Sequence, residues 1–289
     1  FETDIKAPTQ ASTRIWGDGD LTNGVAPGFP SDILDAGKAI ILSNIIKTGH
    51  TGATSYNPNA SGSDDTLQNY VDYDGGDKIF VGGLGALAKF SWGTATSTVS
   101  MSGTSVPATN KWDTLYTLPI GRTTTGGGVS TEITSLSVMA RSNNTIIRID
   151  RDANGSTDIL DTLSQGETRY VDSRFNGTTI DVFQGATIRA NKPIMVTLMT
   201  GDFNSSYEGR TYSILPNSQL STCYYMPGVP LENMTVFLYN PTSSSLTVTR
   251  TTAGGATKTI PMAANSSRMD TVNLSGLGYR YCASSGFAM

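Results

Sequence analysis

Two neighbouring stretches, Ser135-Leu136-Ser137-Val138-Met139-Ala140 and Thr145-Ile146-Ile147-Arg148-Ile149, decide the fold class. In each, apolar side chains occupy every second position, and a short polar segment separates the two. A period of two is typical of β-strands that bury one face. The same pattern recurs in Thr235-Val236-Phe237-Leu238-Tyr239. Short strands at this frequency predict an all-β fold.

Internal similarity indicates that one β unit is repeated along the chain. Leu34–Lys38 aligns with Leu163–Glu167 and with Met262–Ser266, each in a pattern of strand, tight turn and strand. Asp77–Val81 likewise matches Ala186–Ala190. We therefore predict tandem antiparallel β-sandwich-like repeats of about 100–110 residues each.

The phase of the repeat predicts three units. Residues 1–76 form a partial β unit, 77–185 a complete unit, and 186–289 a third unit that is incomplete at its C-terminus. Since the chain begins within one unit and stops within a strand pattern, two explanations stay open. It is a segment of a longer protein, or it closes into a ring such as a β-propeller.

Composition excludes several classes of protein. The 289 residues carry 20 basic and 24 acidic side chains, so the basic excess of a nucleic-acid-binding protein is absent. Twenty-one Phe and Tyr residues (9 and 12) argue against disorder. The longest apolar stretch, Ala39–Leu42, is far too short for a membrane span. Only 15% of residues are charged, so the surface is polar but largely uncharged and suited to packing against copies of the same chain.

Several motifs in fixed order resemble a known family. The chain resembles exported microbial surface proteins related to the N-terminal domain of the immunoglobulin-G-Fc-binding protein. The resemblance runs from about residue 9 to about residue 225, and it implies a secreted or cell-surface location without implying catalytic residues. The matching motifs are Trp16-Gly17-Asp18-Gly19, Asn23–Gly28, Leu34-Asp35-Ala36-Gly37, Asp72–Asp77, Gln165-Gly166-Glu167, Lys192-Pro193, Thr200-Gly201-Asp202 and Tyr207-Glu208-Gly209-Arg210.

One acidic segment has the spacing of a calcium-binding loop. Oxygen-bearing side chains stand at positions 1, 3, 5, 7, 9 and 12, with Gly155 at position 6 for the sharp turn. Calcium needs six to eight converging oxygens, which alternate residues of a tight loop supply. The alternative is a solvated Asx turn with Asn154-Gly155 at its tip. The predicted Ca²⁺ ligands are Asp150, Asp152, Asn154, Ser156, Asp158 and Asp161.

Cysteines and sequons fit an exported chain. Cys223 and Cys282 lack the spacing of a zinc site, and in an exported protein we expect them to form a disulfide; the alternative is two buried free thiols. Asn-x-Ser/Thr sequons are candidate glycosylation sites, although turn-forming Asn beside abundant Ser and Thr produces them as well. They lie at Asn59, Asn143, Asn154, Asn176, Asn204, Asn233, Asn265 and Asn273.

Catalytic signals are absent, since the single His50 stands without a nucleophile elbow and there is no phosphate-binding loop. The leading hypothesis is a non-enzymatic extracellular structural protein, a subunit of a cell-surface filament, sheath, tube or surface layer that binds copies of itself. The second is an adhesin module that binds glycans or glycoproteins with calcium support. The third, a carbohydrate-active enzyme, has only unassigned carboxylates in its favour. No nucleic-acid partner and no membrane span are expected.

Overall fold

The computed structural model describes residues 2–3, 14–15, 42–43, 69–70, 85–92, 101–124, 131–171, 182–202, 209–227, 233–273 and 278–289. Across these residues the chain is almost entirely β, so the predicted all-β, antiparallel fold is confirmed. The helical geometry in this part is of the 3-10 type and includes the turns Thr109–Lys111 and Asn217–Gln219. None of the helical segments described is long and apolar enough to cross a membrane.

The chain forms two compact units, one of residues 1–85 with 165–168 and one of residues 86–164 with 169–289. The short strands of the first unit are β1 (Glu2–Thr3), β2 (Arg14–Ile15), β3 (Leu42–Ser43) and β4 (Asn69–Tyr70). β1 and β2 pair antiparallel, and β3 and β4 pair in parallel. The strands that follow are β5 (Ala88–Trp92), β6 (Met101–Ser105), β7 (Asp113–Thr117), β8 (Ile133–Ala140), β9 (Thr145–Asp150), β10 (Ile159–Leu163), β11 (Thr168–Val171), β12 (Thr187–Gly201), β13 (Gly209–Ser213), β14 (Ser221–Met226), β15 (Asn233–Asn240), β16 (Leu246–Thr252), β17 (Thr257–Met262), β18 (Ser266–Asn273) and β19 (Tyr279–Phe287).

The long strand β12 organises a seven-stranded sheet because it is hydrogen-bonded along both edges. Near its start, Thr187 pairs with β7 on one side and β9 on the other. Near its end, Thr197 pairs with β13 and β8. One strand of 15 residues therefore carries four neighbours, two on each edge.

β12 changes its partners at Asn191-Lys192-Pro193, where its register with β7 shifts. Proline has no N–H and cannot donate to a sheet ladder, so an irregularity is expected here. Polar side chains connect this stretch to β9 and to the loop that precedes it. Asn191 Oδ1 accepts the N–H of Ile146 at 2.8 Å, and Lys192 Nζ donates to the carbonyl of Asn143 at 2.5 Å.

The seven-stranded sheet is nearly closed, like a barrel. Its order β10-β9-β12-β8-β11 places β10 and β11 at opposite ends. Residues 164–167 alone join these two strands, so the ends of the strands, Leu163 and Thr168, are at most about 18 Å apart. The enclosed core includes Tyr116, Leu118, Leu136, Val138, Ile147, Ile149, Ile188, Ile194, Val196 and Leu198.

The C-terminal strands form a sandwich of two sheets. The four-stranded sheet has the order β14-β19-β16-β17, and the second sheet is the pair β15–β18. Apolar side chains from both sheets share one core, as predicted for a sandwich-like repeat. Its members include Val236, Leu238, Val248, Ile260, Val272, Tyr281 and Phe287.

Strands β7–β12 and β14–β19 share one topology. The β9–β10 hairpin beside β12 corresponds to the β16–β17 hairpin beside β19, and the pair β8–β11 corresponds to β15–β18. β7 pairs antiparallel with β12, and β14 pairs antiparallel with β19. The β5–β6 hairpin matches β12–β13, since Ala88 pairs with Ser105 and Thr197 with Ser213. The described strands thus contain one repeated β unit.

The division into units 1–76, 77–185 and 186–289 stays a prediction. Most residues of the first predicted unit lie outside the described residues. The predicted boundary between residues 185 and 186 falls directly before β12, whose hydrogen bonds run to β7, β8 and β9 as well as to β13.

A buried carboxylate links the two sheets of the C-terminal sandwich. Asp270 of β18 is 1% exposed. It accepts hydrogen bonds from Arg250 Nη1 at 2.8 Å, Lys258 Nζ at 2.7 Å and the Tyr281 hydroxyl at 3.0 Å. These three donors occupy paired positions on β16, β17 and β19. Three strands of one sheet therefore hold a single side chain of the other.

The equivalent layer of the first repeat is aliphatic. Register places Ile149, Ile159 and Ile188 side by side, as it places the three donors in the second repeat. When the turns Leu163–Glu167 and Met262–Ser266 are aligned, Val171 corresponds to Asp270, and Val171 is 3% exposed. This layer of the core therefore consists of aliphatic side chains in the first repeat and of an ion network in the second.

In each repeat, a tyrosine hydroxyl is hydrogen-bonded to the last strand, β12 in the first repeat and β19 in the second. The Tyr116 hydroxyl donates to the carbonyl of Ile194 at 2.6 Å, and the Tyr224 hydroxyl donates to the carbonyl of Phe287 at 2.7 Å. Each hydroxyl also accepts the backbone N–H three residues before it. Burial raises the pKa of Tyr116 to about 12. Burial and the neighbouring Asp270 carboxylate raise the pKa of Tyr281 as well.

We expect Asp270→Ala to lower the free energy of unfolding by about 3–5 kcal/mol, because it leaves the partly buried Arg250 without its counter-ion. Replacing the whole layer by that of the first repeat (R250I, K258I, D270V and Y281I together) should recover most of this loss, since no buried charge remains. Urea unfolding of the three proteins measures both effects. A fourfold variant no more stable than the single variant would contradict this account.

We expect stability to fall with rising pH above about 10, where tyrosines of the unfolded chain ionise. Buried Tyr116 stays protonated in the folded protein until about pH 12. The folded state then binds more protons than the unfolded one, and the free energy of unfolding drops by up to about 1.4 kcal/mol per pH unit for such a group. Urea titrations from pH 9 to alkaline pH test this. Tyr116→Phe should flatten the dependence.

Candidate functional site

The acidic segment forms the loop of residues 151–158, which closes the β9–β10 hairpin. The N–H of Asp158 donates back to β9 at 2.9 Å, and its carboxylate accepts the N–H of Arg151 at 2.8 Å. Ala153 (φ 58°) and Gly155 (φ 90°) adopt the left-handed conformation. For alanine this conformation costs about 1–2 kcal/mol, so the surrounding hydrogen bonds must hold the loop in its shape.

Three of the predicted calcium ligands converge in this loop. One oxygen each of Asp150, Asp152 and Asp158 lies within 4.8 Å of the other two. Asp150 is only 8% exposed, and its two oxygens accept the N–H groups of Asn154 at 3.1 Å and Gly155 at 2.9 Å. Because a carboxylate oxygen has two lone pairs, these bonds leave each oxygen able to coordinate a cation.

The other predicted ligands lie differently. Asn154 Oδ1 accepts the N–H of Ser156 at 2.7 Å, and its amide nitrogen donates to Asp152 at 2.9 Å. Asp161 lies on β10, where its carboxylate is 3.4 Å from Arg169 Nη1 and outside the group of three. These contacts also suit the Asx-turn alternative, so the calcium site stays a prediction.

Cys223 and Cys282 form the disulfide that the sequence predicts for an exported chain. They are paired positions on β14 and β19, and their Cα atoms are 4.2 Å apart. This spacing is close to that of a non-hydrogen-bonded antiparallel pair. The bond closes a loop over a sequence separation of 59 residues, which the chain-entropy model values at about 4 kcal/mol.

The outer surface beside the disulfide consists mainly of threonine. Val248 and Ile260 are buried in the core, so alternate residues of β16 and β17 point outward. The alternation Thr247-Val248-Thr249-Arg250-Thr251 is the sequence pattern that corresponds to this surface. We call it the threonine face; it comprises Thr247, Thr249, Thr251, Thr257 and Thr259, with Tyr225 and Arg280 on the neighbouring strands.

The candidate glycosylation sites stay predictions. Three of them, Asn143, Asn154 and Asn265, lie in described loops and are exposed. Asn233 and Asn273 are paired with each other at the ends of β15 and β18. The remaining three, Asn59, Asn176 and Asn204, lie outside the described residues.

A family model described as IgGFc binding protein matches residues 80–286, which include nearly all strands of the two repeats. The chain belongs to the IgGFc binding protein family. The match begins and ends later than the resemblance traced from about residue 9 to about residue 225. Comparison with characterised proteins and with solved structures finds no match.

Membership of the IgGFc binding protein family indicates an extracellular binding or structural module. The family is one of binding domains rather than known enzymes, and it implies protein or glycoprotein partners. Its extracellular or secreted location agrees with the disulfide, which persists in oxidising compartments.

Proposed function

We propose that the chain is a non-enzymatic, β-rich segment of an extracellular assembly, and that copies associate through the threonine face. The observation that supports this most is the composition of that face. Five threonines occupy outward positions of two adjacent strands, and the neighbouring strands contribute one charged residue, Arg280.

Such a face suits contact between copies. Burying threonine hydroxyls costs little when they find hydrogen-bond partners across the interface, whereas burying ions costs several kcal/mol each. Tyr225 is 75% exposed at the border of the face. An exposed tyrosine offers a large apolar ring and a polar hydroxyl, the combination found at the centres of interfaces.

The edge of the sheet offers a second contact. Among the described strands, β14 pairs with β19 alone. Its other edge can therefore accept a strand from a neighbouring molecule by main-chain hydrogen bonds. The disulfide fixes β14 to β19 and so keeps this edge in a defined position.

We expect the wild-type chain to self-associate at micromolar concentration, and Thr259→Lys and Tyr225→Ala to weaken this association. A lysine within the face would have to lose its hydration on contact. Thr162→Lys makes the same change at an exposed position of β10 and serves as the matched control. Sedimentation velocity over a concentration series measures the effect. A wild-type chain that stays monomeric, or a control as impaired as Thr259→Lys, would refute the proposal.

The second candidate is an adhesin module that binds glycans or glycoproteins with calcium support. The observation that favours it is the convergence of Asp150, Asp152 and Asp158 within 4.8 Å. A cation bound there would neutralise three carboxylates and stiffen the β9–β10 hairpin. A glycan array probed with calcium and with chelator tests the binding itself, and an array without signal in calcium argues against this function.

We expect Ca²⁺ to raise the melting temperature relative to chelator, and Asp152→Asn and Asp158→Asn to abolish the rise. Asp161→Asn should retain it, since that carboxylate faces Arg169. Differential scanning fluorimetry with Ca²⁺, Mg²⁺ and chelator provides the measurement. Equal melting temperatures with Ca²⁺ and chelator would leave the Asx turn as the correct interpretation.

A further inference from the structure

We propose that the outer surface of the seven-stranded sheet binds an acidic, extended segment of a protein partner through Arg148 and Arg189. This surface belongs to the first repeat and is separate from the threonine face.

The two arginines are direct neighbours across the sheet. Arg148 of β9 pairs with Arg189 of β12, and both side chains are exposed. Directly opposed side chains project on the same side, with Cβ atoms about 4.5–5.5 Å apart. The adjacent residues Ile149 and Ile188 are fully buried, so the two guanidinium groups point away from the core.

This pair is unfavourable in the isolated protein, because like charges directly opposite each other destabilise a sheet. In the part of the chain that the structure describes, neither guanidinium has a carboxylate partner, whereas Arg151, Arg169 and Arg250 each face an aspartate. Asp150, two residues from Arg148 along β9, accepts the N–H groups of its own loop. An external anion would remove the repulsion.

Leucines flank the arginines on both sides. Leu160 of β10 pairs with Arg148 and is 65% exposed, and half-buried Leu115 of β7 pairs with Arg189. The resulting row, which we call the arginine row, crosses four strands and is about 14 Å wide. It presents an apolar side chain, two cations and a second apolar side chain in that order.

The order of these groups indicates the chemistry of the partner. Guanidinium groups bind carboxylates with two parallel hydrogen bonds each, which favours acidic side chains spaced along an extended segment. The leucines can bury aliphatic side chains next to those acids. The pattern therefore fits an extended peptide that presents two acidic side chains between two apolar ones on one face, and the row offers no aromatic ring on which a sugar could stack.

The test uses the full chain and a fluorescein-labelled peptide with leucine, glutamate, glutamate and leucine at alternate positions separated by serine, and a glutamine-for-glutamate peptide serves as control. We expect saturable binding of the acidic peptide by fluorescence anisotropy, and weaker binding at higher salt. The double variant R148Q/R189Q should bind at least about tenfold more weakly, because charge-assisted hydrogen bonds are lost. Arg122→Gln removes the same charge at another exposed position and should bind like the wild type.

A second variant separates a binding role from a structural one. Arg189→Glu creates an opposite-charge pair with Arg148, so it should raise the melting temperature while abolishing peptide binding. Thr259→Lys, in the threonine face, should leave peptide binding unchanged, which keeps the two proposals distinguishable.

Three results would overturn the inference. They are no binding of the acidic peptide by the wild-type chain, unchanged affinity in R148Q/R189Q, and binding of a sulfated oligosaccharide in place of the peptide. The last result would assign the arginine row to a glycan.

Discussion

The hydrogen bonds along both edges of β12 are the constraint on which the larger sheet depends. β7, β8, β9 and β13 all take their register from this strand. The register of β12 shifts between Arg189 and Ile194, and Pro193 in this stretch has no N–H to donate to the ladder. The side chain of Asn191 accepts a hydrogen bond from β9, and the ammonium of Lys192 donates one to the loop before β9. The change of neighbours at Asn191-Lys192-Pro193 therefore lets one strand serve two halves of a nearly closed sheet.

The two repeats share their topology but differ in the layer around Asp270. Tandem copies with similar sequences can exchange strands during folding. A strand β11 placed in the second repeat would bring Val171 against Arg250 and Lys258, and β18 placed in the first would bury Asp270 among isoleucines. Both exchanges leave a buried charge unpaired, at a cost of several kcal/mol. The ion network thus distinguishes two otherwise equivalent folding partners.

Sequence alone predicted the strands and the turns, because these depend on local patterns. The alternation at Ser135–Ala140 lies within β8, and the matched turns carry left-handed residues at equivalent positions, Gly166 and Asn265. The site was predicted less completely. The calcium-loop spacing extends to Asp161, yet β10 begins at Ile159 and turns that carboxylate toward Arg169. Asp270 and the arginine row depend on register between strands far apart in the chain, which no local pattern encodes.

The position of the disulfide has a mechanical consequence. Cys223 and Cys282 lie on the first and last strands of the second repeat, so a pulling force transmitted along the backbone passes from β14 to β19 through the covalent bond. The hydrogen bonds and the core between them bear little of that load. About 200 Å of contour length is thereby withheld from extension, and the sandwich can transmit tension without unravelling.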